Sequence, residues 1–401
     1  MNLSIAESLL SATTQAPIPT PDPLGFPLPA VLIQALAYFT LTLHFLAVNF
    51  TLGGLVLLVW TKIRKGPGHE ATAGYLGSSL PLGFSYLVTL GVPPLLFVQV
   101  LYGQMFYSAS VVIGAFWILV VPLLITAYGL LYLHKLTRES RPRPQLLYLL
   151  VALGAMLFIG FIYVNNITLS VTPDAWIDLY AANPGGGNLN TAEPTLWPRY
   201  LLFMMPAFTV SGLALILAGA LRTRWKGAGA GDGMRKLGVR GLLAGRVLTA
   251  GAGGLMIATL PEEISGKVLA GGGETIHLAA GVGMALVATA LGFMAYRKSS
   301  PRLAVLAFVA MAVEIGSLVV LRDRVRLDYL ADHFALADVP VNTQWGMFGI
   351  FVTALLVGLT FLIVMTYKVA SRAIDGVRDD GPGEADGSSG EEEIEGGKDD
   401  E

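Results

Sequence analysis

The sequence predicts an all-α polytopic membrane protein with nine transmembrane helices, its N-terminus outside and its C-terminus in the cytoplasm. Hydrophobic residues make up 54% of the chain and charged residues only 13%, a composition that excludes a soluble enzyme. Nine apolar segments are long enough to cross a bilayer, and basic residues are concentrated in alternate connections between them. The number of segments and the charge pattern therefore support each other.

About 20 apolar residues cross a hydrocarbon core of roughly 30 Å, and nine segments meet that length. They lie at about 30–60, 76–101, 106–133, 146–169, 198–221, 240–260, 275–296, 302–321 and 345–368. Together they predict one transmembrane domain, residues 29–372. A Pro-rich extracytoplasmic lead-in, residues 1–28, precedes this domain and lacks the basic start of a signal peptide. An acidic low-complexity tail, residues 373–401, follows it, and we expect this tail to be disordered.

Basic residues determine the predicted orientation. The connections after the first, third, fifth and seventh segments, with the C-terminal tail, contain or border all but five of the 26 lysines and arginines. The positive-inside rule assigns those connections to the cytoplasm. The five exceptions, on the outer side, are Arg199, Lys267, Arg322, Arg324 and Arg326.

His44 is an ionisable residue deep in the first segment. On a 3.6-residue period it shares one narrow stripe with Thr40, Ala47, Thr51 and Gly54. We expect this stripe of small and polar residues to face protein, and bulky residues off it, such as Leu52, to face lipid. A histidine in that position is a hypothesis for a functional site, since neutral imidazole is a common ligand to metals and haem. The alternative is a histidine that only hydrogen-bonds to a neighbouring helix.

Glu314 is the second ionisable residue at membrane depth, in the eighth segment. It shares an inward stripe with Ala307, Ala310 and Ser317. A buried carboxylate without a partner costs several kcal/mol, so we expect Glu314 to be protonated, paired or bound to a metal. Helical rise places His44 and Glu314 in the outer half of the membrane, about 7 Å apart in depth.

Three arginines, Arg322, Arg324 and Arg326, follow at the outer end of the eighth segment. One interpretation is a loop in which they pair with the aspartates of the same stretch. The other is a clamp for carboxylates or phosphates such as haem propionates, which suits the planar fork of arginine. His277, at the start of the seventh segment, lies near the same surface, either against lipid headgroups or against a cofactor.

Cysteine is absent, which excludes disulfides, thiolate metal sites, iron–sulfur clusters and covalently attached haem c on this chain. Any haem is therefore held non-covalently. The sequence contains no Walker-type phosphate loop and no basic–aromatic surface for nucleic acid. The lipid bilayer is the first predicted partner.

Several of these motifs together resemble subunit I of the cytochrome bd quinol oxidases. LIQALAYFTLTLHFLAVNFTLGG is similar to the first helix of that family, and the resemblance implies that His44 ligates an active-site haem. AVEIGSLVV resembles the segment that carries a haem-ligating glutamate in the family, which implies the same role for Glu314. GVPPLLFVQVLYGQMFYS and IHLAAGVGM are similar to the family's segments after the second helix and at the start of the seventh, with His277 where an arginine is usual.

The chain also departs from that family. LLFMMPAFTVSG in the fifth segment lacks the histidine of the low-spin haem, and Ala279 replaces its methionine. The Gly-Arg-Gln-Pro-Trp motif is missing, with the arginines of LRDRVR a few residues later as a substitute. PEEISGKVLAGGGET is all that remains of the quinol-binding loop, so we do not expect quinol oxidation by this loop.

Two functions remain open from the sequence. The first is a haem-binding membrane subunit of a respiratory electron-transfer complex in the cytoplasmic (inner) membrane of a prokaryote. It would hold b-type haem, with d-type haem and oxygen reduction left open, and take electrons from another subunit or a cytochrome c. The second is a cofactor-free anchor subunit that contacts quinone, in which His44 and Glu314 only form hydrogen bonds.

Overall fold

The computed structural model describes residues 18–64 and 69–379, most of which are helical. The described helices are α1 (Ala30–Ile63), α2 (His69–Val112), α3 (Gly114–Thr137), α4 (Gln145–Leu169), α5 (Trp176–Ala182), α6 (Leu196–Met204), α7 (Pro206–Lys226), α8 (Asp232–Thr259), α9 (Glu262–Leu269), α10 (Gly273–Lys298), α11 (Pro301–Tyr329) and α12 (Trp345–Asp379). In this part of the chain the only β-structure is an isolated bridge between Phe26 and Val341.

Nine helical spans of the described residues are long and apolar enough to cross a membrane, which confirms the predicted number. The helices α6 and α7 together form the fifth span, Leu196–Lys226. The span is divided into two helices at Pro206, which has no N–H to donate to the preceding turn. The short helices α5 and α9 lie in the connections between spans. The protein is therefore a multi-pass membrane protein, and the regular secondary structure of its described residues is helical.

The boundary between the second and third spans differs from the prediction. The sequence suggested a break between residues 101 and 106, whereas α2 continues to Val112 and α3 starts at Gly114. The chain does leave helical geometry at Tyr102, with φ −134° and ψ 30°, but this is a kink inside a longer helix. The kink directs Tyr102 toward the site described below.

Helix α1 is central and packs against α2, α4, α7 and α11. Thr40, Thr51 and Gly54 of its predicted inward stripe are buried, which confirms that face. Leu52, which we expected to face lipid, is only 4% exposed, so that expectation is wrong. The reason is that α1 is covered on several sides, and Leu52 belongs to a core cluster with Leu80 and Phe84 of α2.

Small residues let three helices approach at backbone distance. A Cβ on Gly53 of α1 would lie 2.0 Å from the carbonyl oxygen of Ala207 on α7. A Cβ on Gly212 of α7 would lie 2.4 Å from the backbone nitrogen of Leu242 on α8. Close contact through small residues is how membrane helices associate without a hydrophobic driving force between them.

Helix α12 forms a separate compact unit, beginning at residue 347, and is described by itself. Its membrane span is Trp345–Met365, and the helix continues to Asp379. The first residues of the predicted tail, 373–379, are thus helical, and residues 380–401 lie outside the described residues. Residues 1–17 of the predicted lead-in also lie outside them.

Candidate functional site

His44 makes one hydrogen bond, to a neighbouring helix. Its Nδ1 lies 3.0 Å from the carbonyl oxygen of Leu87 on α2. Because a carbonyl can only accept, Nδ1 carries the proton and Nε2 is left as the unprotonated nitrogen. Nε2 has no hydrogen-bond partner among the described residues. The threonines of the same stripe differ, since Thr40 and Thr51 each bond to a carbonyl one turn earlier in α1.

Gly91 makes room for the imidazole of His44. A Cβ at position 91 would lie 2.8 Å from Cε1 of His44 and 3.1 Å from its Nδ1. Gly91 lies one helical turn after Leu87, so the same turn of α2 supplies both the acceptor and the space. This turn therefore fixes the position and the tautomer of His44.

His44 lines a cavity of about 370 Å³, which we call the His44 cavity. Side chains of α1, α2, α3, α4, α6 and α11 enclose it, and most of them are apolar, including Phe45, Val48 and Val92. Two of the predicted site residues, Arg322 and Arg326 of α11, line the same cavity. Its size and its apolar wall with a few polar groups are typical of a small-molecule or cofactor site.

The three arginines near the C-terminal end of α11 lie on two different faces of that helix. Arg322 and Arg326 are four residues apart on one face of α11, whereas Arg324 lies on another face. Nη1 of Arg324 is 3.5 Å from Oε1 of Glu274, at the start of α10. Arg324 therefore does not line the His44 cavity, and the predicted cluster divides into a pair and a separate residue.

Arg322 has no carboxylate partner among the described residues. Its guanidinium carbon lies 5.9 Å from the ring centroid of Phe203, and its Nε is buried without a hydrogen-bond partner in the described chain. Arg322 therefore lines the cavity with a donor that no described residue uses.

A buried carboxylate, Asp323, organises the end of the site next to Arg322 and Arg326. It accepts hydrogen bonds from Gln34 (3.1 Å) and Tyr38 (2.8 Å) of α1, and from Tyr102 (3.0 Å) of α2. Nη1 of Arg326 lies 3.4 Å from the same carboxylate, and its guanidinium stacks 4.5 Å from the ring centroid of Tyr102. We call these five residues the Asp323 network, and it ties α1, α2 and α11 together beside the cavity.

Arg199 adds a third cation behind this network. The residue is only 5% exposed, whereas the sequence analysis predicted no more than a position on the outer side. Its Nη2 donates to Oγ1 of Thr195 at 3.2 Å, and its Nε is buried with no partner in the described chain. Arg199 interacts electrostatically with both Arg322 and Arg326. Glu193 also acts on Arg199 and accepts a hydrogen bond from Thr195, so the three guanidinium groups are set against two carboxylates, Asp323 and Glu193.

Glu314 lies elsewhere in the bundle and is paired. Both of its carboxylate oxygens accept hydrogen bonds from Arg246 of α8, through Nη1 to Oε1 and Nη2 to Oε2, the latter at 2.8 Å. The side chain of Arg246 is 16% exposed and that of Glu314 is 7% exposed, so the two form a largely buried bidentate ion pair. Glu314 does not line the His44 cavity. Ligation of iron by Glu314 stays a prediction.

The structure thus brings together three of the six predicted site residues, namely His44, Arg322 and Arg326. His277 is half-buried near the start of α10 and does not line the cavity. Sequence reasoning missed Arg246, which it grouped with the basic residues bordering an inner connection. The signal that could have identified Arg246 is its depth in the helix. Arg246 lies nearly four turns after Asp232, the first residue of α8, and a cation at that depth in a membrane helix needs a buried partner.

No family model matches this chain, and no curated protein matches it either.

Proposed function

We propose that this chain is a haem-binding integral membrane subunit of a respiratory electron-transfer complex, with a non-covalent b-type haem in the His44 cavity. The observation that supports this proposal is the unprotonated Nε2 of His44, which has no partner in the described chain and belongs to a side chain lining an apolar cavity. Metal-ligating histidines commonly donate their other ring N–H to a backbone carbonyl or a carboxylate, as His44 does to Leu87.

The residues present also fit the remainder of a haem. Apolar side chains line most of the cavity and would cover the macrocycle. Arg322 and Arg326, which both line the cavity, would bind the two propionates through charge-assisted hydrogen bonds, with Arg199 close to both of them. A bound haem would supply a one-electron carrier, and the surrounding chain would determine its potential through burial and charge.

The resemblance to cytochrome bd subunit I and the positive-inside pattern supply the finer parts of the proposal. The N-terminus is outside, the C-terminus is cytoplasmic, and the membrane is the inner membrane of a prokaryote. Electrons come from another subunit or a cytochrome c, because the connection containing α9 is too short for a quinol-binding loop of the family's kind. Oxygen reduction and a d-type haem belong to this proposal only if a second cofactor is found.

We assign Glu314 to the ion pair with Arg246 and not to a second haem. Both of its oxygens accept from one guanidinium, so an iron ligand would have to displace Arg246 and leave that cation unpaired in the bundle. A single haem at His44 is therefore the form of the proposal that the geometry favours.

The second candidate function is a cofactor-free anchor subunit that contacts quinone. One observation favours it, namely that His44 already has a hydrogen-bond partner on another helix, as a structural histidine would. In that case the quinone ring would lie in the cavity, and Arg322 or Arg326 would donate hydrogen bonds to its carbonyl oxygens.

A reduced-minus-oxidised spectrum of the purified protein separates the two functions. The first predicts a haem signal that His44→Gly abolishes, that added imidazole restores, and that His333→Ala, a change in a connection near Asp174, leaves intact. The second predicts no haem signal in the parent. A haem signal that survives His44→Gly at full intensity would show that the ligand is another residue.

A further inference from the structure

A second cavity lies at the opposite end of α1 from the Asp323 network. It has a volume of about 400 Å³. Its lining comes from three helices: Trp60 of α1 with Arg64, the residue that follows α1, then His69 of α2, and Lys236, Leu237 and Arg240 of α8. We call it the Trp60 cleft. Three of these side chains are permanent cations, and none of the lining residues is acidic.

The cations of the cleft have no acidic partner within the described residues. Arg64, Lys236 and Arg240 are exposed, and no carboxylate of the described chain lies within ion-pair distance of them. Arg235, one residue before Lys236, shows the contrast, since it pairs with Asp232 and donates to the carbonyl of Tyr296. The cleft thus concentrates positive charge on both of its walls, one from the end of α1 and one from α8.

The cleft also lies where a membrane surface is expected. Trp60 is three residues before the end of the α1 span and is 47% exposed, as is usual for tryptophan at the boundary between headgroups and acyl chains. The guanidinium carbon of Arg64 lies 5.4 Å from the centroid of the Trp60 ring. An apolar ring with a cation beside it suits a ligand that has an anionic head and an apolar body.

We propose that the Trp60 cleft binds the phosphodiester headgroup of an anionic phospholipid. The phosphate accepts hydrogen bonds from Arg64, Lys236 and Arg240, and the upper part of the acyl chains lies against Trp60 and Leu237. Basic pockets between membrane helices are suited to anionic headgroups, and each nearby lysine or arginine strengthens that binding. This inference does not depend on haem in the His44 cavity.

The test is a titration of the full-length protein, in a neutral detergent, with phosphatidylglycerol, followed by native mass spectrometry of retained lipid. The triple variant Arg64→Gln, Lys236→Gln, Arg240→Gln should bind roughly a hundredfold more weakly, from about 1 kcal/mol for each cation. The matched control is Arg297→Gln, Lys298→Gln, Arg302→Gln, which removes the same charge from exposed residues around the junction of α10 and α11 that do not line the Trp60 cleft. This control should bind phosphatidylglycerol like the parent, and phosphatidylcholine should bind none of the three proteins specifically.

Two outcomes would overturn the proposal. Equal retention of phosphatidylglycerol by the parent and the cleft variant would show that the cleft is not the lipid site. Displacement of the lipid by millimolar inorganic phosphate, with tight phosphate binding in its absence, would instead identify the ligand as a free phosphate. Thermal unfolding of each variant in detergent checks that it is folded, and His44→Gly should leave the lipid titration unchanged.

Discussion

Arg246 and Glu314 join α8 to α11 inside the helix bundle, with Nη2 of the arginine 2.8 Å from Oε2 of the glutamate and Nη1 bonded to Oε1. Nε of Arg246 is buried and has no partner among the described residues. The carboxylate is therefore the group that compensates this guanidinium in the described part of the chain, and the pair is sensitive to a change in either member.

We predict that Glu314→Gln destabilises the protein by about 3 kcal/mol, since removal of one member of a buried pair leaves the other charge uncompensated. The double variant Glu314→Gln, Arg246→Met should recover most of that loss. Thermal unfolding in detergent measures both, and haem content should equal that of the parent in each. Loss of a high-spin haem from a folded Glu314→Gln protein would establish ligation of iron by Glu314 and would contradict the single-haem proposal.

Gly91→Ala should disturb the site without adding or removing a charge. The new methyl group would lie 2.8 Å from Cε1 of His44, so the ring must move and its bond to Leu87 must lengthen. We expect a lower haem content and a shifted spectrum. The control is Gly103→Ala on the same helix, where the nearest atom to the added carbon, on Tyr107, is at an ordinary 3.6 Å. Equal spectra for the two variants would contradict the assigned role of His44.

Arg322→Gln and Arg326→Gln should each weaken haem retention by about tenfold or more, from charge-assisted hydrogen bonds of about 1.5–3 kcal/mol. Arg324→Gln carries the same change in charge on another face of α11, where the residue pairs with Glu274, and should retain haem like the parent. Haem transfer to an apo-globin acceptor measures the three rates. If Arg324→Gln lost haem fastest of the three variants, the assignment of the propionates to Arg322 and Arg326 would be wrong.

Asp323→Asn should lower stability by about 3 kcal/mol, because the substitution leaves Arg326 next to Arg322 and Arg199 without a counter-charge. The control is Asp332→Asn, nine residues later in the chain. It removes the same negative charge from a side chain that is exposed to solvent. Chemical or thermal unfolding of the two variants should differ clearly. Equal stability would show that the Asp323 network contributes little to the fold.

The sequence was sufficient for features that depend on local composition. The number of spans follows from length and apolarity, and the buried faces of α1 and α11 follow from small residues at helical spacing, as Thr51 and Ala307 show. The common face of Arg322 and Arg326 is also a matter of periodicity, which separates them from Arg324.

Features that depend on contacts between distant segments were not predictable in this way. Gln34 and Asp323 are 289 positions apart, and no pattern in either segment indicates that they meet. Leu52 was assigned to lipid because a single helix does not reveal how many neighbours surround it. Arg246 was missed because hydropathy windows place segment ends only to within a few residues, so that a membrane-buried cation resembles one at the border.

The close packing of α7 on α8 has a consequence for how this protein enters the membrane. Helix α8 is the least apolar of the nine described spans and carries Arg246, whereas α7 is strongly apolar and touches α8 backbone to backbone through Gly212. Synthesis proceeds from the N-terminus, so α8 must enter the bilayer before α11 brings Glu314 to its arginine. We therefore expect α7 and α8 to enter as a helical hairpin, in which the more apolar α7 holds the less apolar α8 in the bilayer. The later arrival of α11 neutralises Arg246 and completes the assembly of these helices.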